Sequence, residues 1–146
     1  MKRRIVWLCV LLLLAGLIAR AEKMNAREGG EPMQMMIGET PVTVAWEDNV
    51  SVEALKTLAA EGLTIDMSMY GGFEQVGSIG QSLPRDDQQT TTTCGDIVLY
   101  SGNQLVVFYG SNSWAYTRLG HISDQTPEQM KALLGNGGVT ITLSMK

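Results

Sequence analysis

From residue 33 onward, apolar and polar positions alternate with a period of two. Met33, Met35 and Ile37 alternate with Gln34 and Met36, and Val42, Val44 and Trp46 alternate with Thr43 and Ala45. Such alternation predicts half-buried strands, and Gly38-Glu39-Thr40 between these two predicts a hairpin connection. A change to helical spacing follows. Val52, Leu55, Leu58 and Ala59 share one helix face, with Asn49 or Ser51 as the cap and Gly62 placed to end the helix beyond Glu61. Leu63, Ile65, Met67 and Met69 then form the apolar parity of one strand, and Thr64, Asp66, Ser68 and Tyr70 its polar parity. This strand leads into "MYGGFEQVGSIGQSLP", residues 69–84, where Gly71 and Gly72 are expected to bend it around a corner. "PRDDQQTTTTCG", residues 84–95, reads as a mobile loop. Ile97–Tyr100 and Leu105–Tyr109 are apolar strands joined by Ser101-Gly102-Asn103, and Thr117–Ile122 is a further strand. "TPEQ", residues 126–129, opens a second helix: Thr126 caps, Pro127 takes the first turn, Gln129 completes a capping box, and Gly135 ends it. Val139, Ile141, Leu143 and Met145 alternate with Thr140, Thr142 and Ser144 in a final strand.

These elements make a mainly β protein. The expected architecture is a closed β-barrel of about eight strands capped by two short helices. A barrel of that size is filled by its own side chains, so a binding site is expected on its wall or rim.

The first 32 residues follow a different pattern. Lys2, Arg3 and Arg4 precede an apolar run from Ile5 to Ile18, and Ala19-Arg20-Ala21 follows. That is the layout of a secretory signal peptide with cleavage after Ala21, the alternative being an uncleaved membrane anchor. Residues 1–21 are therefore assigned to the signal, 22–32 to a polar linker and 33–146 to the barrel domain. The expected location is extracytoplasmic, either secreted or associated with the cell envelope. Four of the 11 basic residues (Lys2, Arg3, Arg4, Arg20) lie in the signal, so the remainder carries 7 against 15 acidic residues, a net charge of −8. An excess of negative charge repels phosphate backbones and anionic bilayers. Nucleic acid is excluded as an expected partner, and a membrane is expected only through an uncleaved N-terminal segment. Cys9 leaves with the signal, so Cys94 stands alone and is expected to be a buried, inert thiol.

"YGGFEQVGSIGQSLP", "CGDIVLYSGNQLVVFYG" and "YTRLGHI" resemble, in order and spacing, the bacterial cyclophilin-like domain family over about residues 33–146. The Gly pair ahead of an aromatic and an acidic residue is the most specific of these motifs. The resemblance implies a closed barrel capped by two helices. It implies no defined activity, because this branch of the family is largely uncharacterised. Cyclophilins proper are peptidyl-prolyl isomerases that use an Arg, a Phe and a Gln on the barrel wall. When their Gly-Phe pair is matched to Gly72-Phe73, Ser68 falls at the Arg position and Val76 at the Gln position. Only the Phe carries over, and the electrostatic part of the isomerase mechanism is absent. Arg118, on another strand, is the one candidate to replace it.

Little else in the sequence points to catalysis. His121 is the one histidine, and a strand-wall or surface role is expected for it. No grouping of His, Cys and carboxylates suits a metal, and no phosphate or dinucleotide fingerprint occurs, so no cofactor is expected. The aromatic residues carry more information. Phe108, Tyr109, Trp114 and Tyr116 crowd together, and Tyr70 and Phe73 flank the glycine pair. A rim groove is expected with Tyr70, Phe73, Glu74, Tyr109, Trp114 and Arg118 as its binding residues. The expected function is a non-catalytic binding or interaction module for a peptide or small molecule, the alternative being a weak peptidyl-prolyl isomerase with a rearranged site.

Overall fold

The computed structural model describes residues 31–146. The signal and nearly all of the linker expected from the sequence lie outside the described residues. Among the described residues no helix is long and apolar enough to cross a membrane.

The chain runs β1 (Met33–Ile37), β2 (Thr40–Val42), β3 (Val44–Trp46), α1 (Val50–Ala60), β4 (Leu63–Asp66), β5 (Ser68–Tyr70) and β6 (Glu74–Ser78). It continues through β7 (Gln88–Thr91), β8 (Asp96–Tyr100), β9 (Gln104–Phe108), β10 (Ser113–Ile122), α2 (Pro127–Leu134) and β11 (Thr140–Met145). The mainly β class and the two short helices match the sequence reading. The closed barrel of about eight strands does not appear. The strands form two sheets instead, ordered β2-β1-β11-β4 and β3-β10-β8-β9-β6-β5, with β7 paired to β10, and neither sheet returns to its first strand.

The difference has a physical origin at Thr43 and Met67. The sequence pattern runs unbroken through residues 42–46 and 63–69, but each run is divided between the sheets. β2 belongs to the four-stranded sheet and β3 to the seven-stranded one, and β4 and β5 are divided likewise. At one crossing the Ser123 amide donates to Thr43 O (2.9 Å) and the Thr43 amide to Asp124 Oδ1 (3.0 Å). At the other, the Met67 amide donates to Val139 O (2.8 Å). Strands that change sheet at a bend form the corners of a β-sandwich. The crossing at Met67 lies against Gly77, where a Cβ would come within 2.5 Å of Met67 Sδ and 2.6 Å of Asp66 O.

One apolar core is shared by both sheets and both helices. It joins Met35 and Ile37 of β1, Ile141 and Leu143 of β11, Ile97, Leu99, Leu105 and Val107 of β8 and β9, Val52 and Leu55 of α1, and Met130 and Leu134 of α2. The helices end as their sequences require. The Asn49 side chain accepts the Val52 amide, and Thr126 and Gln129 form the reciprocal capping box. Gly62, at φ +79°, follows α1 in the left-handed region.

Three strand segments depart from the sequence reading. β6 is a separate strand after the glycine pair, where one strand bent at Gly71 and Gly72 was expected. β10 starts at Ser113, four residues before the expected Thr117. β7 lies inside the segment read as a mobile loop, pairing Gln88–Thr91 with Ser113–Tyr116. Threonine looks polar to a hydropathy reading, but its β-branch suits a strand and its hydroxyl finds a local partner. Thr90 Oγ1 donates to Gln88 O (2.8 Å), and the fully buried Thr92 Oγ1 donates to Asn112 O (3.0 Å).

Candidate functional site: an aromatic groove with a buried carboxyl

β8 and β9 are buried on both faces. Their second parity, Val98, Val106 and Phe108, forms a smaller apolar cluster with Tyr116 on the face of the seven-stranded sheet that points away from the shared core. Phe73, Val76 and Tyr100 pack against it. Phe108 and Tyr100 each meet the Tyr116 ring edge-on, at centroid distances of 5.7 and 6.1 Å. Such aromatic pairs contribute about 0.5–1.5 kcal/mol beyond area burial. Above this layer lies a groove of about 480 Å³. Tyr116, Val76 and Tyr100 form its inner part, and Tyr70 and Trp114, 66% and 57% exposed, stand at its lips. Ser68 and Met69 of β5, Gln104 of β9 and Asn112 complete the lining. Asn112 Nδ2 donates to the Tyr116 hydroxyl (2.9 Å) and orients it. Burial pushes the Tyr116 phenol up, with the nearby Glu74 adding to the effect.

Glu74 is the distinctive member of the lining. It opens β6, opposite Tyr70 on one side and Phe108 on the other. The turn before it explains its placement. Gly71 and Gly72 have φ of +61° and +73°, and the Phe73 amide donates back to Tyr70 O (3.3 Å). Two successive positive φ values make the tight mirror-image turn that matches strand twist, which glycine adopts without steric cost. The glycine pair therefore closes the β5–β6 hairpin rather than bending one strand around a barrel corner. The Phe73 carbonyl accepts from the Tyr109 and Gly110 amides (3.0 and 2.9 Å), tying the turn to the end of β9. Glu74 is thereby carried inward instead of onto an exposed rim. It is 6% exposed, and its Oε2 has no hydrogen-bond partner among the described residues. Burial raises its pKa from 4.5 to about 7. A carboxyl removed from water resists ionisation when no positive group or donor replaces its hydration.

The six residues expected to form the site are divided by the structure. Tyr70, Glu74 and Trp114 line the groove together. Phe73 supports it from beneath, its ring edge-on to Tyr70 at 6.2 Å. Tyr109 packs against the shared core, and its buried hydroxyl has no partner among the described residues. Arg118 is held elsewhere on β10, 3.4 Å from Asp96 Oδ2, and is absent from the groove lining. Asp96 also accepts the Thr93 amide (2.8 Å) and lies 2.8 Å from His121 Nδ1. Burial pushes the Asp96 carboxyl up, but the Thr93 amide, His121 and Arg118 outweigh it and hold the group below the ordinary aspartate range. His121 stands on the strand wall, half exposed, as expected. Cys94 is half-buried rather than buried, and burial together with Asp96 and Glu128 pushes its thiol up. A thiol in that state is a poor nucleophile.

The six expected site residues did not include Ser68, Met69, Val76, Tyr100, Gln104, Asn112 or Tyr116, all of which line the groove. A signal for Ser68 was present, since it shares the parity of Tyr70. Ser68 and Val76, at the positions where the isomerase motif would need Arg and Gln, pair directly across β5 and β6 and both line the groove. That wall thus carries a hydroxyl and an isopropyl group in place of the two donors.

A solution structure of a hypothetical protein from Archaeoglobus fulgidus is similar in fold, with a TM-score of 0.59 at 12% identity, covering 80% of this chain and 95% of that one. No curated protein sequence matches the chain. The model of the Cyclophilin-like family matches residues 35–144, which takes in both sheets, both helices and every residue of the groove, and on that match the chain belongs to the cyclophilin-like family.

Proposed function

We propose that this is an exported, non-catalytic binding module whose ligand, a small molecule or short peptide, sits in the aromatic groove of the seven-stranded sheet. The observation that carries the reading is Glu74. A buried, unpartnered carboxyl costs folding free energy, and a groove lined by aromatic rings with a few convergent polar groups has the make-up of a ligand site. The volume of about 480 Å³ falls in the range of small-molecule sites. Ser68 and Val76 count against isomerase chemistry, because no guanidinium or amide reaches the groove from their positions. Export rests on the basic, apolar and Ala19-Arg20-Ala21 segments of the sequence.

Two measurements test the reading. A fragment and short-peptide screen by amide NMR is expected to give ligands whose shifts map to Tyr70, Val76, Gln104 and Tyr116. A screen in which those signals never move would refute binding at the groove. A coupled proline-isomerisation assay is expected to show no acceleration. An acceleration that disappears in both Phe73→Ala and Trp114→Ala would replace the binding module with an isomerase.

A further inference from the structure

The groove's chemistry narrows the class of ligand. Its polar centre is one carboxyl, and no Lys, Arg or His belongs to the lining. Tyr70 from β5, Tyr100 from β8 and Tyr116 from β10 are the other titratable groups facing it. Around that carboxyl stand four electron-rich rings, those of Tyr70, Tyr100, Trp114 and Tyr116. A carboxylate attracts a cation by charge, and the faces of such rings attract it through their quadrupoles. A divalent metal suits the site poorly, because it demands several oxygen ligands and Glu74 is the one carboxylate of the lining. Nor does a bare ammonium ion fill about 480 Å³. Val76 and the inner rings leave room for an apolar body beside the charge. The acidic excess of the chain, 15 Asp and Glu against 11 Lys and Arg, draws cations toward the protein as a whole.

We propose that the groove binds an organic cation, an amine or quaternary ammonium ion carried on an apolar body, with Glu74 as counter-charge and the rings of Tyr70, Tyr100, Trp114 and Tyr116 around it. This rests on the groove being a binding site. A cation in the groove gives the Glu74 carboxyl the counter-charge it lacks, so its arrival ionises Glu74 and displaces a proton to solvent. With a free-state pKa of about 7, binding is strongest above neutrality and weakens as pH falls.

The test is calorimetric titration of the full chain with benzyltrimethylammonium, phenethylamine and the uncharged phenethyl alcohol at pH 8. Both cations are expected to bind at least ~10-fold tighter than the alcohol, since one charged hydrogen bond or ion pair of this kind is worth a factor of that order. Glu74→Gln is expected to abolish that preference, bringing cations and alcohol to similar affinity. Trp114→Ala, at an exposed lip, is expected to weaken the quaternary ion more than the alcohol. Between pH 8 and pH 5.5 the quaternary ion, whose own charge is fixed, should lose most of that ~10-fold preference in the wild type and nothing in Glu74→Gln. A capped Phe-Lys dipeptide is the peptide-borne form of the same cation. Tighter binding than phenethylamine assigns the charge to a lysine side chain, weaker binding assigns it to a free amine, and either supports the class.

Equal affinity for cation and alcohol, or a charge preference that survives Glu74→Gln, would overturn the proposal and leave the groove standing as a binding site. So would affinity that rises as pH falls, because protonated Glu74 would then be donating to a neutral ligand. If no probe binds and the wider NMR screen also leaves the groove signals unmoved, the binding reading falls with it.

Discussion

Replacing Glu74 by Gln keeps the size and shape of the side chain but removes the group that titrates. In the wild type the carboxyl has a pKa of about 7 when folded, against 4.5 for the unfolded chain. The folded value is raised, so the group's contribution to stability is full below pH 4.5 and is lost as pH rises through 7. Below the lower value the carboxyl is neutral in both states. Above the higher value the folded protein holds an ionised carboxylate out of water. A difference of 2.5 between the two values corresponds to about 3 kcal/mol of stability lost across that interval. Glutamine has no such transition. Urea denaturation of both proteins at a series of pH values from 4.5 to 8 isolates the effect, because every other titrating group is common to the pair. The stability of Glu74→Gln relative to wild type is expected to climb by about 3 kcal/mol over that range, most of it between pH 5 and 7. A constant offset between the curves carries no weight, since the new amide can gain or lose a hydrogen bond at any pH. A difference that does not change with pH refutes the reasoning. Glu74 would then be ionised in the fold at ordinary pH, by finding water or a positive partner.

Three further outcomes follow from the same geometry, and a fourth from the sequence of the N-terminal segment. Gly71→Ala would place a Cβ 2.2 Å from Phe73 Cε1 at φ +61°, whereas Gly72→Ala meets nothing within 4 Å and bears only the strain of φ +73°. Thermal or urea melts should show Gly72→Ala losing about 1 kcal/mol and Gly71→Ala losing more, about 2–3 kcal/mol, and the reverse order would exclude the turn described. Gln75, fully buried, donates from Nε2 to Leu134 O and Gly137 O (2.7 Å each), so Gln75→Ala should cost about 1–3 kcal/mol and speed amide exchange around the end of α2; unchanged exchange there would contradict the link. Asp96 is held below its ordinary pKa, so its stabilisation is full above the ordinary aspartate range and disappears as pH falls through the lower folded value. The deficit of Asp96→Asn in urea melts should therefore shrink in acid, and a deficit that persists unchanged would show the charge to be irrelevant. N-terminal sequencing of the extracytoplasmic fraction should find a chain beginning at Glu22, and an intact Met1 in the cytosol would remove the export reading.

The sequence determined the elements whose signals are local. Both helices were legible, with Thr126 as one cap and Asn49 or Ser51 as the other, because capping and the helical period act within a few residues; the structure chose Asn49. β1, β8, β9 and β11 were legible because alternation or a short apolar run reports burial directly. The family could be recognised from three motifs in order, and the aromatic content of the site in part from Tyr70 beside the glycine pair and from Trp114 and Tyr116 crowding near Phe108. What stayed hidden depended on partners distant in the chain. A threonine-rich run became β7 because Ser113–Tyr116 offered it a ladder, and alternation through Thr43 and Met67 could not reveal that each run changes sheet midway.

Tertiary structure alone decided the state of Glu74. Its position after a glycine turn was readable, as was its neighbour Tyr70. Its burial was not, because that depends on Phe108 and Tyr116 coming together from two other strands on the outer face of the sheet. A carboxyl's pKa follows the water and charges around it, and those are set by residues as far away as Trp114. The sequence therefore supplied the groups of the groove, and the fold decided that Arg118 pairs with Asp96 while Glu74 is left without a partner among aromatic rings.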